Sequence, residues 1–210
     1  MQDPDALRYK APALVIVDMQ NDFVRQGAPL EVPDARATFD VHRRLLAAFR
    51  AIGAPVVYTR FLATPEPGLL WRWSPQCAPP LRCCHRGVLR SYADVPGALE
   101  CTDVVSELAP APGDLLIDKF GYGAFHGTAL SDLLRQRGVR SLVITGTVTQ
   151  ICVEETAREA FHHGFATTLV SDAVSSFAPD LHAATLKNFA MKFGWVESSD
   201  AVVAALAGCA

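Results

Sequence analysis

The stretch "SLVITGTVTQICVEETAREAFHHGF" occupies residues 141–165. Its opening, Ser141-Leu142-Val143-Ile144, is a short apolar run with no polar alternation, the pattern of a strand buried on both faces. From Cys152 to His163 the spacing turns helical, and Gly164 supplies a stop. Cys152 stands near the junction of strand and helix. A cysteine there is either a core residue or a nucleophile at a helix start.

The same pattern recurs on both sides. Ala13-Leu14-Val15-Ile16-Val17 is a second unbroken apolar run. Residues 34–52 carry Phe39, Leu45, Leu46, Phe49 and Ile52 at helical intervals, and Gly53 follows. Strands are predicted at 55–59, at 115–117 after the Pro112-Gly113-Asp114 turn, and at 166–170, with a short one at Trp195-Val196. Helices are predicted at 99–108, 126–137, 181–193 and 200–206. Residues 61–96 keep no period and are rich in proline, tryptophan, arginine and cysteine, which reads as a long irregular loop acting as a lid or an interface. Alternating strands and helices predict a three-layer α/β/α domain with a mostly parallel sheet, residues 1–210 forming a single domain.

Half of the 210 residues are hydrophobic, 20% are charged, and the formal net charge is -3. That balance offers nothing to nucleic acid or to an anionic membrane. No apolar run reaches the length of a membrane span. The opening "MQDPDALRYKAPA" lacks a basic region followed by an apolar stretch, so a cytoplasmic protein with six reduced cysteines is expected. The mean hydropathy of +0.18 suggests subunit interfaces as well as a core, and a homo-oligomer (dimer or tetramer) is expected. In "CAPPLRCCH" (residues 77–85) the vicinal cysteines do not match zinc-site spacing and no second pair follows. The segment reads as a loop with incidental thiols rather than a metal site.

In open α/β sheets, ligands bind beyond the carboxyl ends of the strands. Three reactive residues fall at such ends: Asp18, Lys119 and Cys152. Together they make chemical sense. A thiolate is the nucleophile, and a helix N-terminus and a lysine both favour the anion. Asp18 is placed to take the thiol proton and return it to a leaving amine. Backbone N–H groups around Thr149 and Cys152 are placed to receive an oxyanion. Each residue also has an ordinary role: cysteine fills cores, aspartate caps helices and lysine is solvated. Position alone leaves both readings open.

"ALVIVDMQNDF" (residues 13–23), "DKFGYGAFHGTAL" (118–130) and "VITGTVTQICVEETAREA" (143–160) resemble the isochorismatase-like cysteine hydrolase family, in the expected order along nearly the whole chain. The resemblance implies a six-stranded parallel sheet and an Asp–Lys–Cys triad of Asp18, Lys119 and Cys152. It also implies a cis peptide at Val148–Thr149 beside the oxyanion position. Isochorismatases proper, which cleave a vinyl ether, usually lack the cysteine. Keeping Cys152 therefore points to amide hydrolysis through a thioester. Nicotinamidases carry metal-binding Asp and His residues after the second strand, where this chain reads "YTRFLATPEPG", so no metal and no cofactor are expected. The group that remains acts on small amide or N-carbamoyl (ureido) substrates. A vinyl-ether hydrolase and a non-catalytic binding protein on the same fold are the alternatives.

Phe23, Tyr122 and Phe125 flank the motifs, either as pocket walls or as core. Arg60, Arg72, Arg82 and Arg86 are candidates to hold a substrate carboxylate. His126, His162 and His163 are assigned capping and packing roles, and Gln150 either orients the loop or is exposed.

Overall fold

The computed structural model describes residues 4–64, 66 and 68–208. Cys209, one of the six cysteines, lies outside them. Six parallel strands form one sheet in the order β5-β2-β1-β6-β7-β8: β1 (Pro12–Val17), β2 (Val56–Phe61), β5 (Leu115–Lys119), β6 (Ser141–Thr147), β7 (Ala166–Ser175) and β8 (Trp195–Glu197). Helices pack on both faces of this sheet, which makes the architecture three-layer α/β/α.

The central strands are apolar throughout because both of their faces are covered. Leu14 and Ile16 pack with Leu45 and Phe49 of α2 (Phe39–Ala51) and with Val202 and Leu206 of α7 (Ser199–Ala207). Ala13, Val15 and Val17 face the opposite layer. There they meet Leu130 and Leu134 of α4 (Leu130–Gln136), Ala157 and Ala160 of α5 (Glu154–His162), and Phe189 of α6 (Pro179–Lys192). The period of two along β1 thus divides one apolar run between two cores.

From β1 the chain winds outward through β2 to β5, then returns to lay β6 on the other side of β1. The crevice between the carboxyl ends of β1 and β6 is therefore the switch point of the sheet. β7 is twice as long as expected. Past an irregularity its second half pairs Val174 and Ser175 with Gly146 and Thr147, and so supports the turn that follows β6.

Three expectations change. Residues 99–108 are not a helix: Leu99 and Glu100 end β4 (Val95–Glu100), which pairs antiparallel with β3 (Leu89–Tyr92), and a single 3₁₀ turn follows at Ser106–Leu108. Pro96 and Gly97 conceal this hairpin in the sequence. They are tolerated because the ribbon has only two strands and carries a register shift beside Tyr92. The segment 61–96 is likewise not uniformly irregular. It holds the short helix α3 (Leu69–Trp73), a 3₁₀ turn at Pro75–Cys77 and the first strand of the hairpin. Finally, α4 begins at Leu130 rather than near His126, because the Glu159 carboxylate on α5 accepts the backbone N–H groups of Phe125 (2.8 Å) and His126 (3.4 Å) and holds them as a loop.

Candidate active site

Asp18 follows the last residue of β1 in a left-handed backbone conformation (φ 50°), which aspartate tolerates better than most residues. This turns its carboxylate across the end of the sheet. Oδ1 accepts the Thr59 hydroxyl at 2.6 Å, and Oδ2 lies 2.8 Å from Lys119 Nζ. Neither Asp18 nor Lys119 is exposed to solvent. The two parent strands are not neighbours, since β2 lies between β1 and β5. The gap is about 10 Å at the usual strand spacing, and it is closed by the long lysine side chain. Lys119 passes 5.4 Å from the Phe61 ring and donates to the carbonyls of Gly121 (3.1 Å) and Tyr122 (2.9 Å).

Cys152 arrives from the other side. Residues Thr149–Val153 form a π-helical turn ahead of α5, and the Cys152 thiol is close enough to Asp18 and Lys119 to feel the charge of both. The structure therefore brings the three strand-end residues together. A π-turn at this place is itself a common mark of a functional site. The cis peptide is Thr147–Val148, one bond earlier than Val148–Thr149. The chain reverses as soon as the β6 ladder ends at the Thr147–Ser175 pair. The Ser175 carbonyl then accepts both the Thr147 hydroxyl (3.3 Å) and the Thr149 hydroxyl (3.0 Å), and the Thr149 hydroxyl also meets His182 Nδ1 at 2.9 Å.

Charge in the site is governed by burial. Burial pushes the Cys152 thiol up to about 12; Lys119 pulls it down and the Asp18 carboxylate pushes it up again. Burial thus works against the thiolate that the helix end and Lys119 favour, and the Asp18 carboxylate acts in the same direction as burial. For Lys119, burial favours the neutral amine, but Asp18 and Cys152 outweigh it and the pKa ends above the ordinary lysine value.

A cavity of about 520 Å³ opens onto Cys152. Phe23, Phe61 and Tyr122 line one side of it, Val148 and Ile151 the floor beside the sulfur. Trp73 and Gln76, from the segment read as a lid or interface, complete the wall. Phe125 does not line it. Its ring stacks on His163 at 4.9 Å and tilts against Phe165, so it belongs to the core. The arginines offered for a substrate carboxylate are turned elsewhere: Arg60 pairs with Asp118 (2.7 Å) and Asp103 (3.3 Å), Arg86 also pairs with Asp118, and Arg72 and Arg82 are exposed outside the lining. Gln150 accepts the Ser176 hydroxyl at 2.7 Å, and His163 meets Ser131.

Several residues escaped the sequence reading. Thr59 holds Asp18; its only signal was a hydroxyl at the end of an apolar strand. Gln20 bonds the Phe61 backbone from both ends of its amide and so fixes one cavity wall. Asp22 is fully buried and accepts from Cys84 N, Arg90 Nε and the Tyr92 hydroxyl, all at 2.8 Å. Its oxygens and the thiols of Cys83 and Cys84 lie within 4.8 Å of one another, a spacing a metal ion would accept. The carboxylate already has three donors, one of them a guanidinium, and both thiols are raised above their ordinary range. The arrangement suits a buttress that ties the β3–β4 hairpin to α1 (Asn21–Val24) better than it suits a cation.

Comparison with known proteins gives one consistent picture. The isochorismatase domain model matches residues 12–201. A ureidoacrylate amidohydrolase from Pseudomonas savastanoi is 33% identical over 214 residues, covering 94% of this chain and 85% of that protein. Among solved structures, a cysteine hydrolase from Pseudomonas syringae superposes with a TM-score of 0.84 at 26% identity, covering 100% of this chain and 96% of the other. N-carbamoylsarcosine amidase from Thermoplasma acidophilum gives 0.73 at 30% identity, covering 90% and 96%. No helix among the described residues is long and apolar enough to cross a membrane.

Proposed function

Because this chain belongs to the isochorismatase family, we propose that it hydrolyses a small amide or N-carbamoyl group with Cys152 as nucleophile. The family and its curated relatives make it an amidohydrolase acting on C–N bonds. The roles of individual residues are our reading. The observation that carries it is a thiol at the cavity wall with a buried carboxylate and ammonium behind it, the last two 2.8 Å apart.

The steps follow from the charges. Asp18 takes the Cys152 proton as sulfur attacks the carbonyl carbon, so the thiolate exists only as it is consumed. Lys119 holds Asp18 in place and offsets the negative charge that builds up in the site. We assign the backbone N–H groups of Val148 and Thr149 to the oxygen that becomes an oxyanion. The C–N bond breaks as Asp18 returns the proton to nitrogen; ammonia leaves and a thioester remains. Water then attacks the thioester carbonyl, Asp18 takes its proton, and the thiol is restored as the acid departs.

Ammonia release from a panel of small amides tests the assignment. Wild-type protein is expected to accumulate an acyl adduct on the peptide containing Cys152, visible by mass spectrometry after acid quench. Cys152→Ala is expected to show neither adduct nor turnover. Undiminished ammonia release by Cys152→Ala would remove the nucleophile from this scheme.

A further inference from the structure

Resting on the amidohydrolase reading above, we propose that the substrate is an uncharged amide with an apolar or aromatic body, and not an amide that also carries a carboxylate. The inference starts from what faces the cavity. Phe23, Leu30, Phe61, Trp73, Tyr122 and Phe177 line it, its surface is mostly apolar, and the polar lining residues include neutral Ser74 and Gln76. Binding pockets discriminate through a few placed polar groups, and a carboxylate taken from water into such walls needs a cation to replace its hydration.

No such cation is supplied. The described residues include all 19 lysines and arginines, and none of them lines the cavity. Lys119 lies behind the floor, where its ammonium is divided among Asp18 and two carbonyls. Arg25 pairs with Glu107 at 2.6 Å, Arg60 with Asp118 and Arg90 with Asp22, while Arg72 is exposed, outside the lining, with its guanidinium over the Trp73 ring at 5.9 Å. Arg36 is closest in role, but it donates to the Val24 carbonyl (2.6 Å) and to Glu31 (2.7 Å).

Among the described residues, Glu31 is the one charged side chain on the wall. Its Oε2 accepts the Gly27 N–H at 2.8 Å, its Oε1 accepts Arg36, and these bonds hold its pKa below the usual glutamate value. A fixed carboxylate in the wall repels an anionic substrate. Because both oxygens already have donors, it does not call for a substrate ammonium either. At the rim, Trp73 and Phe177 are 75% and 57% exposed. Large rings left in water around a cavity mouth are covered when an apolar substrate body enters.

Matched substrates test this directly. Wild-type protein is assayed with hexanamide, benzamide and phenylacetamide against succinamate and glutaramate. The neutral set is expected to give kcat/KM at least tenfold higher, and Gln76→Arg is expected to raise kcat/KM for succinamate by a similar factor. Calorimetry on Cys152→Ala reads the same preference without turnover: phenylacetamide should bind at least tenfold more tightly than succinamate. Equal or reversed order in either assay overturns the substrate class while leaving the hydrolase reading intact. If no amide releases ammonia from the wild type, the hydrolase reading fails, and the calorimetric order still decides the class of ligand.

Discussion

Gly146 packs so tightly against Val17 that a Cβ on it would lie 2.1 Å from the Val17 carbonyl oxygen and 2.6 Å from the Val17 nitrogen. The two residues are paired in the β1–β6 ladder, one residue before Asp18 and six before Cys152. The glycine also holds φ at 107°, which side-chain-bearing residues avoid. Backbone atoms, unlike a flexible side chain, have nowhere to move. Gly146→Ala is therefore expected to lower stability by at least about 2 kcal/mol, from overlap and backbone conformation together. Any folded fraction should lose activity disproportionately, since it must part the two strands that carry the acid and the thiol. Urea titration and ammonia release on the same sample check both.

A second close approach ties α5 to the loop beneath Lys119. The Glu159 carboxylate lies where a Cβ on Gly123 would be (2.2 Å), and it accepts the N–H of Phe125. This loop provides the Gly121 and Tyr122 carbonyls that hold Lys119. Glu159→Ala frees the loop without touching the reacting atoms. The expected result is a fall of about ten- to a hundredfold in kcat/KM, in line with losing a charge-assisted hydrogen bond of about 1.5–3 kcal/mol. Glu159→Gln keeps an acceptor and should recover most of it. Steady-state kinetics of the pair distinguish positioning from general instability.

How far these relationships were legible in the sequence depends on their physical origin. The β-branched runs at 13–17 and 141–144 announced buried strands because both faces of a parallel sheet demand them. Asp18, Lys119 and Cys152 were visible as reactive groups at strand ends. That Lys119 must reach past β2 was not, since strand order is not written in local periodicity. The upward push of burial on the Cys152 thiol was equally hidden. Charge neighbours can be guessed from a motif, but the burial that outweighs them belongs to the folded whole. Trp73 and Gln76 escaped because a cavity wall built from an aperiodic segment leaves no pattern. Pro96 and Gly97 actively disguised the hairpin.

His42 predicts how stability responds to acid. It lies on α2, fully buried, with Nδ1 2.9 Å from the Thr38 carbonyl. Burial lowers its pKa from 6.5 to about 4; the Thr38 carbonyl and Asp172 only partly oppose this. The unfolded chain thus takes up this proton before the folded protein does. The stabilisation is complete above about pH 6.5 and is lost as pH falls toward about 4, a shift worth about 3 kcal/mol. Urea midpoints from pH 7 to pH 4 should fall more steeply for wild type than for His42→Gln. Parallel curves would mean that His42 is not held neutral by burial.

The Asp18–Lys119 pair separates proton transfer from charge. Asp18→Asn is nearly isosteric and removes the base, so turnover should fall at least about a hundredfold. The same change removes a negative charge beside the thiol. Because that carboxylate raises the Cys152 pKa, its alkylation profile should move to lower pH even as catalysis fails. Lys119→Met should move the profile the other way, since the ammonium lowers that pKa. It also strands a buried carboxylate, a loss of about 3–5 kcal/mol. Asp18→Asn combined with Lys119→Met strands neither charge and should melt above Lys119→Met alone. Peptide mapping after iodoacetamide treatment across pH reads the first pair of shifts, and thermal melts read the second. If both single variants moved the profile in the same direction, Cys152 would not lie between these two charges, and its activation would need another base.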